Sequence, residues 1–201
     1  VLDLCSGNGI VPLLLSAKSA AQSIVGLEIL APVCEMAVRS VRLNGLTEKI
    51  RMICGDLKDA ETLLGRSSFQ YVTCNPPYKE NGGGLRSKDD MITPARHEIL
   101  CSLEDIIRVS SIILEPLGKL CMIHRPERLA DILCLMRKYG IEPKRLRFVH
   151  PYPQKTATMI LVEGARQGRP KLFLDPPLYI YERPGQYSAE IDEIYGRETA
   201  K

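Results

Sequence analysis

The chain has 201 residues, of which 45% are apolar and 25% charged, and a formal net charge of +3 at pH 7, a balance typical of one globular domain with a sizeable core. No apolar run reaches the ~20 residues that a membrane-spanning helix needs and no basic-then-apolar leader opens the chain, so we expect a cytoplasmic protein. Seven cysteines without a C-x-x-C pair and only three histidines predict free, buried thiols in a reducing compartment and no metal site.

The first residues predict a strand, a tight turn and a helix. Residues 1–5 form a short apolar run interrupted by Asp3, and a helical pattern follows the turn as far as about residue 19. Gly7 and Gly9 lack a Cβ and let a ligand approach the backbone, where the amides of the helix start can face it. The G-x-G-x-x-G fingerprint of dinucleotide binding would need glycine where Pro12 stands, so the pattern disfavours a pyrophosphate site.

Short strand-like runs then alternate with helical runs, which predicts βαβ units and a largely parallel sheet. The later strands of this pattern are residues 24–29, 50–54, 69–74 and 119–124, and the helices are residues 31–44, 97–114 and 126–139. Residues 79–96, rich in glycine and charge, predict a long mobile loop over the site. The short link between two further strand-like runs, residues 144–150 and 157–163, favours antiparallel pairing of those two strands.

One domain accounts for most of the chain. We expect residues 1–165 to form it and residues 166–201 to be a C-terminal tail packed on its surface. A central strand at residue 1 normally has chain in front of it, so we also expect an N-terminal part of the domain to be missing from this sequence.

Polar residues mark the carboxyl ends of the predicted strands, where ligands bind in open α/β sheets. Asp3 and the glycine turn follow the first strand, and Glu28 closes the second, where its two oxygens can accept both hydroxyls of a ribose. Asp56 follows the third strand and can accept from an adenine amino group, while Leu57 covers the ring. Each acid taken alone is better explained as an ordinary cap or surface residue, but polar residues at the ends of four successive strands favour a single binding site.

The most selective signal is the run Asn75-Pro76-Pro77-Tyr78 at the end of the fourth strand. A planar exocyclic amine is a poor nucleophile because its lone pair is delocalised into the ring. If the Asn75 side-chain oxygen and the Pro76 carbonyl accept its two hydrogens, the lone pair localises toward a sulfonium methyl donor. The two prolines fix the backbone, and Tyr78 can stack on a flat target. The alternative is a proline turn in which Tyr78 only packs.

The charge is distributed unevenly along the chain. Residues 137–171 hold nine Lys or Arg against two acids, whereas residues 172–201 hold six acids and three bases. A basic segment of this kind fits a polyanion, although a solvated face without a partner has the same composition. Possible phosphate contacts are Arg145, Arg147, His150, Lys155, Arg166, Arg169 and Lys171, with Lys79, Arg86, Lys88 and Arg96 in the loop.

Asp3-Leu4-Cys5-Ser6-Gly7-Asn8-Gly9 together with Asn75-Pro76-Pro77-Tyr78 resembles the class I S-adenosylmethionine-dependent methyltransferases that modify exocyclic amines, and is most similar to the bacterial tRNA1(Val) (adenine-37) N6-methyltransferase group. The resemblance implies a Rossmann-like α/β fold with a mostly parallel seven-stranded sheet ending in an antiparallel hairpin. It also implies S-adenosylmethionine as the cofactor. Carried over by motif, the cofactor-binding residues would be Asp3, Cys5, Gly7, Gly9, Glu28, Asp56, Leu57 and Asn75. The catalytic residues that receive the target would be Asn75, Pro76, Pro77 and Tyr78.

From this reading we expect a monomeric enzyme that methylates the N6 amine of an adenine in RNA, with tRNA as the substrate. The same Asn-Pro-Pro-Tyr run also occurs in enzymes that methylate a glutamine amide of release factors, so a protein substrate is an open alternative. A nonenzymatic RNA-binding subunit with the same fold is a second alternative. A nicotinamide oxidoreductase fits less well, because the third glycine of its fingerprint is missing.

Overall fold

The computed structural model describes residues 1–78 and 101–197. The predicted loop of residues 79–96 and the start of the helix predicted from residue 97 lie outside these ranges. The strands are β1 Leu2–Leu4, β2 Ile24–Glu28, β3 Ile50–Cys54, β4 Phe69–Cys74, β5 Leu114–His124, β6 Ile141–His150, β7 Met159–Arg166, β8 Phe173–Leu174, β9 Leu178–Tyr179, β10 Tyr181–Arg183 and β11 Gln186–Tyr187. The helices are α1 Ile10–Lys18, α2 Ala31–Leu43, α3 Ala60–Leu64, α4 Leu103–Ile113, α5 Leu129–Lys138 and α6 Ala189–Tyr195, with 3-10 turns at Leu57–Asp59 and Pro126–Arg128.

The main sheet has the strand order β3-β2-β1-β4-β5-β7-β6, and the short strands β8 and β9 both pair with β6 to make nine strands. Strands β1 to β5 are parallel, and β7 runs antiparallel between β5 and β6. The predicted Rossmann-like, mostly parallel sheet is therefore confirmed, and the strand-like runs near residues 144–150 and 157–163 do pair antiparallel. A small separate hairpin, β10–β11, follows near the C-terminus.

Two apolar clusters hold helices against the sheet. In the larger cluster, α4 and α5 pack on β1, β4 and β5, whereas in the smaller one α1 and α2 pack on β2 and β3. Because side chains alternate along a strand, Val25 and Leu27 face the larger cluster and Ile24 faces the smaller one. The central strands β1 and β2 are buried along their whole length, as parallel strands covered on both faces are.

Several boundaries differ from those predicted, and the starts of three elements show the physical reason. Helix α4 begins at Leu103, because Ser102 and Asp105 form a capping box there. Strand β5 begins at Leu114 rather than at residue 119, since residues 115–118 are an irregular part of the strand. Pro126 opens a 3-10 turn, and α5 itself begins at Leu129.

The cysteines are only partly buried. All seven are free thiols, and Cys34 and Cys74 are buried as expected. Cys54 and Cys134, however, are exposed, so the prediction of buried thiols was wrong for these two. Each lies on a partly solvated element, at the end of the edge strand β3 and on α5.

The C-terminal residues run along the outer edge of the sheet. Strands β8 and β9 pair in parallel with β6, and Ile191 of α6 packs with Val149 and Leu178. The domain boundary at residue 165 stays a prediction. None of the helices in the described ranges has the length and apolar character needed to cross a membrane.

Candidate active site

The turn after β1 has an unusual backbone. Cys5, Gly7 and Gly9 all have left-handed conformations, with φ of 56°, 55° and 85°, which is costly for a residue other than glycine. A Cβ added at Gly7 would meet no atom within 4 Å, so the space in front of the turn is open. At Gly9 a Cβ would lie 3.1 Å from that of Ala37, so this glycine also allows α2 to pack closely.

Glu28 ties the glycine turn to the end of β2. One of its carboxylate oxygens accepts the backbone N–H of Gly7 at 2.9 Å, and the other accepts that of Leu30 at 2.9 Å. The side chain is only 1% exposed. Each carboxylate oxygen can accept more than one hydrogen bond, so Glu28 keeps acceptor capacity for a ligand hydroxyl while it shapes the turn.

Asp3 is a buried acid between two hydroxyl groups. Its oxygens accept hydrogen bonds of 2.6 Å each, from Ser6 Oγ and from Thr73 Oγ1. Burial raises the pKa of Asp3 to about 6, against the opposing effect of the two hydroxyls and with a further contribution from the charge of Glu28. A negative charge at this position would be stabilised by a cationic ligand group. No sequence pattern indicates the role of Thr73, because β4 pairs with β1 only in the folded sheet.

A small cavity lies between the ends of β1, β2 and β3. It has a volume of about 20 Å³ and is lined by Cys5, Leu27, Glu28, Ile29, Gly55, Asp56, Leu57 and Cys101. Cys101 Sγ lies 3.9 Å from Cys5 Sγ. A space of this size holds little more than a water molecule, so an adenine ring could enter only if lining side chains such as Cys101 moved.

Asp56 and Leu57 form one wall of this cavity. Asp56 Oδ1 accepts the backbone N–H of Lys58 at 2.9 Å and thereby caps the 3-10 turn. Leu57 is buried. The alternative reading of Asp56 as a cap is therefore correct, but its second carboxylate oxygen remains available to a ligand.

The Asn75-Pro76-Pro77-Tyr78 run leaves the end of β4. Asn75 is exposed, Pro76 is buried, and Pro77 and Tyr78 are half-buried. The Tyr78 hydroxyl donates a hydrogen bond to Asn75 Oδ1. Burial raises the pKa of Tyr78 to about 12, so the phenol stays protonated and remains a donor. Asn75 therefore presents an oxygen whose orientation is already set.

A larger cavity brings Asp3 and Asn75 together. It has a volume of about 400 Å³ and runs along β4, β5, β7 and β6, with the lining residues Asp3, Val11, Thr73, Cys74, Asn75, Cys121, Met122, Ile123, Arg145, Arg147, Leu161, Val162, Glu163 and Asp175. Six of the predicted site residues thus divide between two cavities, whereas Gly7, Gly9, Pro76, Pro77 and Tyr78 line neither of them. Cys5, Glu28, Asp56 and Leu57 line the small one, whereas Asp3 and Asn75 line the large one.

This geometry agrees with a comparison against known families. Residues 1–133 match the family model of the methyltransferase small domain. The chain belongs to this family. The match spans the glycine turn, the four strand ends and the Asn-Pro-Pro-Tyr run, so every predicted site residue of this methyltransferase lies inside it.

Named relatives and solved structures are similar over most of the chain. A Porphyromonas gingivalis protein named tRNA1(Val) (adenine(37)-N6)-methyltransferase is 30% identical over 194 residues, which cover 94% of this chain and 75% of the relative. The crystal structure of a predicted O-methyltransferase from Agrobacterium tumefaciens has a TM-score of 0.78 at 23% identity, over 100% of this chain and 89% of that one. Geranyl diphosphate C-methyltransferase from Streptomyces coelicolor, solved with S-adenosyl-L-homocysteine, has a TM-score of 0.60 at 11% identity. The match covers 82% of this chain and 70% of that one.

The basic residues of β6 in this methyltransferase already have partners. Arg145 pairs with Asp175 at 2.9 Å, and Arg147 forms a two-pronged pair with Glu190 at 2.6 and 2.7 Å. Arg166 donates to Ser67 Oγ and to the Leu114 carbonyl. These three arginines form ion pairs or hydrogen bonds with other residues of the same chain, which weakens the hypothesis that they contact phosphates. The four predicted loop cations, Lys79, Arg86, Lys88 and Arg96, lie outside the described residues.

Proposed function

We propose that the protein transfers a methyl group from S-adenosylmethionine to the N6 amine of an adenine in RNA, and that the RNA is a tRNA. The observation that carries this proposal is the exposed Asn75 oxygen, which lines the same cavity as the buried acid Asp3. The name of the Porphyromonas gingivalis relative supports the choice of target. Neither the donor nor the nucleotide is fixed by the fold, which serves many methyl acceptors.

The residues at the ends of β1 to β3 fit the donor. S-adenosylmethionine would supply a methyl group bound to a positively charged sulfur. Gly7 leaves open space for close approach to the backbone, and Glu28 offers further acceptor capacity to ribose hydroxyls. Asp3 can accept a hydrogen bond from the amine of the donor. Asp56 and Leu57 would face the adenine of the donor after the Cys101 side chain moves out of the small cavity.

The end of β4 supplies the acceptors for the target amine. An amide oxygen has two lone pairs, so Asn75 Oδ1 can keep the Tyr78 hydroxyl and accept one amine hydrogen as well. The Pro76 carbonyl accepts the other hydrogen, and the nitrogen lone pair then localises toward the methyl group. Because the methylated nitrogen is acidic, it loses its proton to water, and the main contribution of the site is positioning.

A protein substrate is the second candidate. The arginines of β6 pair with acids of the C-terminal segment, which reduces the positive charge available to RNA. A glutamine side-chain amide is also planar and conjugated, so the same two oxygen acceptors would serve it. Methylation of a release-factor glutamine would need no salt-sensitive docking surface.

The deciding experiment supplies labelled S-adenosylmethionine with bulk tRNA and, in a parallel reaction, with a release factor. Digestion of the RNA to nucleosides should give the label in N6-methyladenosine. Label recovered only in a protein glutamine would replace the proposed substrate with the second candidate. Calorimetry with the donor adds a separate test, because the absence of binding would favour a nonenzymatic RNA-binding subunit.

A further inference from the structure

Two residues at the end of β5 lie beside the proposed target site and have no part in the proposed function. His124 ends β5 and Arg125 follows it, and β5 pairs in parallel with β4 so that Cys74 lies opposite Met122. The carboxyl end of β5 therefore lies next to the Asn75-Pro76-Pro77-Tyr78 run. Neither residue belongs to a motif that the sequence singles out.

His124 fixes the positions of both neighbours. Its ring meets the Tyr78 ring edge-on, with centroids 5.4 Å apart and an interplanar angle of 83°. Its Nδ1 accepts the backbone N–H of Arg125 at 2.8 Å, and the side chain is only 6% exposed. Burial, followed by the charges of Arg128 and Arg125, lowers the pKa of His124, so the ring is neutral near pH 7.

Arg125 places a positive charge over one face of the Tyr78 ring. Its guanidinium carbon lies 5.6 Å from the ring centroid, and the residue is exposed. A hydrogen bond of 3.5 Å to the Thr158 carbonyl is at the outer limit of such contacts. Arg145 and Arg147 each form an ion pair with a carboxylate. Within residues 1–78 and 101–197, Arg125 forms none.

We propose that Arg125 binds a phosphate of the nucleotide whose base stacks on Tyr78. The inference rests on the proposed function and extends it to the substrate backbone. A base taken out of its stack carries its sugar and phosphates to the rim of the pocket. A planar guanidinium there can form two parallel hydrogen bonds to phosphate oxygens. Arg125 would thus supply positive charge beside the target site, whereas the charges of Arg145 and Arg147 are already paired with acids of the protein.

The test compares Arg125→Gln with Arg42→Gln, a matched change of an exposed arginine on α2. Affinity for tRNA is measured over a range of salt concentrations, together with KM and kcat for methyl transfer. We expect Arg125→Gln to weaken tRNA binding about tenfold and to flatten the salt slope by about 0.7 to 0.9, the value for one lost phosphate contact. The affinity of Arg125→Gln for S-adenosylmethionine should equal that of the wild-type protein, which would also show that the variant is folded. Arg42→Gln should match the wild-type protein.

The outcomes separate this inference from the proposed function. If the wild-type protein makes N6-methyladenosine and Arg125→Gln keeps the wild-type salt slope, only the role of Arg125 is overturned. If the wild-type protein methylates no RNA, the proposed function falls and the phosphate subsite falls with it. A charge reversal, Arg125→Glu, should weaken tRNA binding further than Arg125→Gln, and equal affinities of the two variants would also count against the subsite.

Discussion

The hydroxyl group of Tyr78 donates a hydrogen bond to the side-chain oxygen of Asn75. The proposed acceptor is therefore oriented before any substrate arrives, by a residue of the same Asn-Pro-Pro-Tyr run. Preorganised polar groups of this kind cost no reorganisation when the reaction occurs. Tyr78 thus has two proposed roles, as a stacking surface and as the group that orients Asn75.

Two substitutions of Tyr78 separate these roles. Tyr78→Phe keeps the ring and loses the hydroxyl, so kcat should fall about tenfold or less while tRNA affinity is retained. Tyr78→Ala also loses the stacking surface, which contributes roughly 1–3 kcal/mol per base, so KM for tRNA should rise as well. Steady-state kinetics at saturating donor measure both effects. Equal KM values for the two variants would argue against stacking on Tyr78.

Asp3 makes stability depend on pH. Its pKa of about 6 in the folded protein exceeds the ordinary value of 3.8 for an aspartate, so the folded state binds the proton more tightly than the unfolded state. Stability should therefore fall as pH rises from about 4 to 6, by on the order of 3 kcal/mol. Asp3→Asn should remove this fall and be the more stable protein at pH 7, measured by urea unfolding at pH 4.5 and 7. A less stable Asp3→Asn at pH 7 would contradict the effect.

The same carboxyl group should make donor binding depend on pH. If Asp3 accepts from the donor's ammonium group, only its charged form binds well, so affinity for S-adenosylmethionine should rise as pH increases through about 6. Asp3→Asn should bind more weakly at pH 7 and lose this dependence. Calorimetry from pH 5 to 7.5 makes the measurement, and the same pH profile in both proteins would show that Asp3 does not contact the amine.

Glu28 should affect donor binding far more than turnover. Glu28→Ala removes the acceptor of the part-buried Gly7 and Leu30 amides, and leaving such donors unsatisfied costs at most about 1–3 kcal/mol each. We expect a lower Tm and donor affinity reduced about tenfold or more, with kcat at saturating donor changed little. The exposed acid Glu48 provides the control, since Glu48→Ala should change neither quantity. A loss of kcat equal to the loss of donor affinity would refute the assignment.

Cys101 should limit donor binding in the wild-type protein. Its contact with Cys5, followed by burial, raises the pKa of the Cys101 thiol well above its usual range, so the group is a neutral obstacle in the small cavity. Cys101→Ala should enlarge that cavity and raise donor affinity several-fold, up to about tenfold, or about 1.4 kcal/mol. Cys134→Ala, an exposed cysteine on α5, is the matched control. Weaker donor binding by Cys101→Ala would mean that the thiol is part of the donor site.

The sequence predicted the parts of the site that depend on local pattern. Strand ends, the glycine turn and the Asn-Pro-Pro-Tyr run are all short-range signals, and parallel pairing brings successive strand ends to one edge of the sheet. Thr73, Cys101 and His124 could not be selected in the same way. Each is brought to the site by a contact with a residue distant in the chain: Thr73 contacts Asp3, Cys101 contacts Cys5, and His124 contacts Tyr78.

The weakest sequence interpretation concerned charge. A count of cations finds a basic segment but does not show which cations are already paired. The acids that pair with Arg145 and Arg147 come from the C-terminal segment, 30 and 43 residues further along the chain. Their proximity depends on β8 and β9 folding back along β6, a pairing that two-residue strands do not reveal in a sequence.

The most direct measurement is the single-turnover rate of N6-methyladenosine formation in tRNA by the wild-type protein and by Asn75→Ala, at saturating S-adenosylmethionine. Removing one preorganised polar contact to the reacting group should lower the rate about 10²- to 10³-fold while donor affinity changes less than about threefold. A rate within a few-fold of wild type, or a loss of donor affinity as large as the loss of rate, would contradict the proposal that Asn75 holds the target amine.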